Sequence, residues 1–89
     1  MKNYKDINEA LEKIILILKN NGELNWANSL ERCRLELKND PINACSKILS
    51  MYGGMGSFND IVLYRDGQPL IKENNLLDAM RKKLYSICQ

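Results

Sequence analysis

Eighty-nine residues with 45% apolar and 27% charged content are enough for one ordinary globular domain. A chain this short buries only about 60–65% of its unfolded surface, which leaves no room for a large internal cofactor cavity. Thirteen basic against eleven acidic residues give a net charge of +2, too balanced for a protein held to nucleic acid by charge alone.

The start of the chain, Met1 to Asp6, is polar, and no apolar signal segment follows it. The longest apolar run, Ile14 to Leu18, is far too short for a bilayer, so a cytoplasmic, non-membrane protein is expected. Asp6 is a candidate cap for the first helix, with Glu9 completing a capping box. Ile7, Ala10, Leu11, Ile14, Ile17 and Leu18 then form a helical stripe, which Asn20-Asn21-Gly22 stops. Glu9 and Glu12 pair with Lys13, and Glu31 with Arg34, as local surface contacts.

A second helix is predicted from about Glu23 to Lys38. Its inner side carries Leu24, Ala27, Leu30 and Leu37, with Cys33 or Arg34 between them and Trp26 at the edge. Asp40 caps a third helix and Pro41 fits its first position. Ile42, Cys45, Ile48, Leu49 and Tyr52 are its apolar face, and Gly53 ends it. Cys33, Cys45 and Cys88 show no metal-ligand spacing and there is no histidine, so they read as buried thiols in a reducing compartment.

Three of the five glycines then fall at Gly53, Gly54 and Gly56. Such density marks a loop of unusual backbone geometry. Ser57 with Asp60 resembles a capping box, and a short fourth helix over Phe58 to Tyr64 is the favoured reading. A hairpin over 61–71, turning at Asp66-Gly67, is the alternative. Asn74 is the expected cap of the last helix, with Leu76, Leu77, Met80, Leu84 and Ile87 inward and Tyr85 beside them. Arg81-Lys82-Lys83 is expected to face solvent. The fold expected is an all-α single domain over 1–89, a bundle of four or five short helices with a glycine-rich turn at 53–56.

The glycine loop does not fit a P-loop, since no lysine follows and a helix precedes. Nor does Gly54-Met55-Gly56-Ser57 fit G-x-S-x-G, and no histidine is present to serve as base. No catalytic residue, cofactor or metal is therefore assigned, and an enzyme is not expected. Ser57 reads as a cap, and Gly53, Gly54, Gly56 and Asn59 as structural members of the loop. Tyr52 and Phe58 read first as core. The competing reading makes them, with Met55, an adaptable apolar contact surface.

Tyr52 to Leu63, YGGMGSFNDIVL, resembles the (F/Y)GGMGSFNDLVL signature of a family of small bacterial proteins, with Ile61 where leucine is usual. Trp26-Ala27, Asp40-Pro41 and Leu84-Tyr85 extend the resemblance over most of the chain. Small proteins of this kind resemble immunity proteins of bacterial toxin systems, including contact-dependent growth inhibition. The resemblance implies a partner, a cognate toxin domain such as a tRNA-targeting nuclease, neutralised by occlusion of its active site. Asp60, Tyr64, Asp66 and Glu73, near the motif and acidic or amphipathic, are the candidate contacts. A nucleic-acid-associated regulatory domain using Arg81, Lys82 and Lys83 is the alternative function.

Overall fold

The computed structural model describes residues 3–89; Met1 and Lys2, part of the polar start read above, lie outside them. Four helices are formed by the described residues: α1 (Tyr4–Asn20), α2 (Leu24–Leu37), α3 (Pro41–Ser50) and α4 (Ile71–Cys88). Between α3 and α4 lie a single 3-10 turn (Phe58–Asp60) and a hairpin of β1 (Tyr64–Arg65) and β2 (Gln68–Pro69). The architecture is the expected all-α bundle. α1 packs against both α2 and α4, and α3 completes the layer against those two.

The helix ends follow local chemistry. Asn3, not Asp6, caps α1: its side chain accepts from the Asp6 N–H at 3.2 Å. Asp6 is one turn inside, where its charge still favours the helix N-terminus. Gly22, at φ +79°, closes α1 as expected. The Glu23 N–H reaches the Leu18 carbonyl and the Gly22 N–H that of Lys19, so orphan carbonyls are satisfied. Asp40 caps α3 through the Asn43 N–H at 3.0 Å, with Pro41 at the first position.

The stripe read from α1 is buried except Ile17, which is half-buried at its edge, and Ile15 joins it. In α2 the inward residue is Cys33 rather than Arg34, and all three cysteines are buried. Arg34 instead forms the expected pair with Glu31, a fork of bonds at 2.7 and 2.9 Å that holds the Glu31 carboxyl below its usual range. Glu12 accepts from Asn8. Three residues placed on inner faces are exposed: Leu24, Leu76 and, at 76% exposure, Ile42. Each lies in the first half of its helix and off the contact stripe, which Ala27, Ala44 and Leu77 occupy instead.

The region after the glycines departs most from expectation. The predicted helix over 58–64 shrinks to one 3-10 turn, and the chain then runs extended into the hairpin that was the alternative. Two hydrogen bonds explain this. An α-helix would need the Phe58 and Ile61 carbonyls as acceptors for N–H groups four residues on. Here both accept from the Arg81 guanidinium, at 3.0 and 3.1 Å. Ile61 and Leu63 are buried while Val62 and Tyr64 are exposed, the alternation of a strand. Asp66 (φ +52°) and Gly67 (φ +78°) are both left-handed, as a type I′ hairpin turn requires.

Asn74 does not cap α4. The helix begins one turn earlier, at Ile71, and the Asn74 N–H donates to the Leu70 carbonyl as its first helical bond. The Asn74 side chain turns outward from the helix and brackets Leu63, accepting from its N–H at 2.7 Å and donating to its carbonyl at 2.9 Å.

Candidate partner-binding surface

The motif is built on a buried cation. Arg81 is only 6% exposed and occupies the core stripe of α4 between Leu77 and Leu84. This corrects the expectation that the run 81–83 is solvated. Lys82 and Lys83 are exposed, and Lys82 pairs with Asp78 at 3.1 Å, but Arg81 turns inward. Its guanidinium holds two carbonyls of the motif and sits 5.9 Å from the Phe58 ring centroid. Burial works against its charge, and Asp78, 3.8 Å away, works for it.

Aromatic residues complete the frame. Phe58 is fully buried, with Trp26 at 5.7 Å and Tyr52 edge-on at 5.2 Å between ring centroids. Tyr85 also meets Tyr52, at 5.0 Å between ring centroids. The Tyr52 hydroxyl donates to the Arg81 carbonyl at 2.7 Å, and burial pushes its phenol well above the usual tyrosine range. The core reading of Tyr52 and Phe58 thus describes them.

On that frame the glycine loop is tied down from within. The Phe58 N–H donates to the Met51 carbonyl at 3.0 Å. Ser57 caps the 3-10 turn, accepting from the Asn59 N–H, and its hydroxyl donates to the Tyr52 carbonyl. Asp60 accepts from the Gly56 N–H at 2.7 Å, one residue earlier than a capping box would place it. Gly54 and Gly56 have φ of +85° and +73°; Gly53 does not. A Cβ on any of them would meet open space, so backbone conformation, not crowding, favours glycine at Gly54 and Gly56.

What the frame presents outward is different in kind. Met55, at the loop tip, is 99% exposed, and Asn59 and Asp60 are exposed beside it. A groove of about 590 Å³ runs along the loop between Leu49, Tyr52, Asn59, Asp78, Lys82 and Tyr85. Of the candidate contacts, Asp60 closes the loop, Tyr64 and Asp66 lie exposed on the hairpin, and Glu73 is half-buried in the first turn of α4. Sequence reasoning missed Arg81 and Asn74. The signal for Arg81 was present: it falls four residues after Leu77 and three before Leu84, on the apolar stripe. Among the described residues, no group of three or more His, Cys, Asp or Glu side chains is placed to hold a metal ion. None of their helices is long and apolar enough to cross a membrane.

The fold and this surface define a small helical-bundle domain carrying a glycine-rich loop and hairpin between its third and fourth helices. The chain belongs to the family described as a domain of unknown function, DUF6966, whose model matches residues 19–71. That span runs from the end of α1 to the first residue of α4 and contains the whole motif. No curated protein and no solved structure matches the chain.

Proposed function

We propose that this protein is a non-catalytic binding module that neutralises a cognate toxin domain, as immunity proteins do, by covering its active site. The observation that supports it is the division of the motif into two sides. Phe58 and Arg81 fix the loop from below, while Met55, Asn59 and Asp60 are left to solvent. A loop ordered before binding loses little entropy when a partner arrives, which is the condition for tight association through a small surface. An exposed methionine at its tip supplies adaptable apolar contact, and Asp60, Asp66 and Glu73 supply polar specificity. The toxin as partner comes from the resemblance of the motif to immunity proteins. A nuclease that acts in the cytoplasm would place this protein there too. Of the cations the nucleic-acid reading would use, Arg81 is engaged in the interior.

The test is co-expression with the product of an adjacent toxin-like reading frame. Growth rescue and co-purification of the two chains are expected. Rescue should be lost on Met55→Asp or Asn59→Lys in protein that still folds, as judged by circular dichroism. If no neighbouring product is bound and none is neutralised, the proposal is wrong.

A further inference from the structure

The hairpin has one edge that is chemically unfinished. The Leu70 N–H donates to the Leu63 carbonyl at 2.9 Å, and Arg65 pairs with Gln68. In an antiparallel ladder this turns the backbone groups of 63 and 65 inward and those of 62 and 64 outward. Leu63 is fully engaged, because Asn74 takes its N–H and shares its carbonyl. Among the described residues, none bonds the outward N–H and C=O groups of Val62 and Tyr64. The two residues are 47% and 59% exposed. The opposite edge is unlike this one: its outward residue is Pro69, which has no N–H to donate. The edge over 62–64 alone offers both donors and acceptors, with neither proline nor lysine to blunt it.

We propose that this edge is a strand-addition site, and that its occupant is an extended segment of the toxin domain with apolar residues between cationic flanks. Backbone groups presented at alternate residues are complementary to another extended backbone and to little else. Val62 and Tyr64 give the incoming strand an apolar and an aromatic contact. Exposed carboxylates stand at each end, Asp60 before the edge and Asp66 after it, and favour cationic flanks. The charge of Arg65, between them, belongs to the alternate residue, whose side chain points to the other face. The inference rests on the proposed neutralisation and adds the contact by which it is made.

Amide exchange on the full chain, alone and with the catalytically inactivated toxin domain encoded beside it, tests this. In the complex the Val62 and Tyr64 amides should slow by at least about tenfold, while Leu63, already bonded, changes little. Tyr64→Pro, which removes an outward donor together with the ring, should keep its melting midpoint and bind at least about tenfold more weakly, and by clearly more than Tyr64→Ala, which removes the ring alone. A complex in which Val62 and Tyr64 exchange as in the free chain overturns strand addition and leaves neutralisation standing. Protection of the two amides in the chain alone, rising with concentration, makes the occupant a second copy and also overturns the proposal. If no complex and no rescue are found, neutralisation falls and strand addition with it.

Discussion

Arg81 ties α4 to the motif. Its two carbonyl acceptors belong to the motif, its ring contact is the buried Phe58, and its own carbonyl receives the Tyr52 hydroxyl. Its Nε is buried with no hydrogen-bond partner among the described residues, so the site holds a desolvated cation that its neighbours only partly compensate. Arg81→Ala should therefore cost about 2–4 kcal/mol in a denaturant titration, from lost packing and two orphaned carbonyls. Arg81→Lys should restore little of this, since one ammonium lacks the planar fork that spans both acceptors. Lys82→Ala, one residue on and solvent-facing, should leave the midpoint unmoved. Tyr52 predicts a pH effect. Its phenol titrates higher in the folded chain than in the unfolded one, so its contribution is complete below the ordinary tyrosine pKa of about 10. It declines as pH rises above that value, because the unfolded state then releases the proton more readily. Tyr52→Phe should flatten the alkaline loss seen in thermal melts from pH 9 to 11 at a cost near neutrality of about 1 kcal/mol.

At the scale of elements, the four helices were legible because their signals are local and repeated. The α1 stripe, the Gly22 stop and the Asp40-Pro41 start each state their own physical reason in the sequence. The segment after Ser57 was not legible, because its conformation is decided by Arg81 and Asn74, more than ten residues away. The Ser57 cap is genuine, yet it supports only one turn once the next acceptors are diverted. The Asp66-Gly67 turn, by contrast, was a local signal, and it is what made the hairpin over 61–71 the alternative reading. Two variants separate these effects. Asn74→Asp keeps the acceptor for Leu63 N–H but removes the donor to its carbonyl, and should loosen the hairpin by about 1–3 kcal/mol. The Leu63 amide should then exchange faster while α4 amides stay protected. Gly67→Val, forced into a left-handed backbone, should cost about 1–2 kcal/mol, whereas Asp66→Asn should be neutral.

The whole molecule is a thin-cored body, 42 × 23 × 20 Å, with a radius of gyration of 12.7 Å. Its centre is α1, which both α2 and α4 use as their packing surface. The net stability of a chain this size is of order 4–13 kcal/mol, so a single deep truncation removes a large share. Leu11→Ala, at a fully buried position on α1, should cost about 2–5 kcal/mol. Loss of helicity and loss of near-ultraviolet aromatic signal should coincide in that variant, because no part of the bundle retains a core without α1. A variant in which the motif loosens while the helices persist should separate those two signals, as Arg81→Ala is expected to do.

Trp26 is the only tryptophan in the chain, and its ring packs on Phe58, the buried residue of the motif. It also borders a small groove with Gly56, Asp60 and Val62. The protein consequently carries its own optical gauge at the join between scaffold and motif. Release of the loop should shift Trp26 emission to longer wavelength. A partner closing over Val62 should shift it the other way, so binding and detachment are distinguishable in an unlabelled sample.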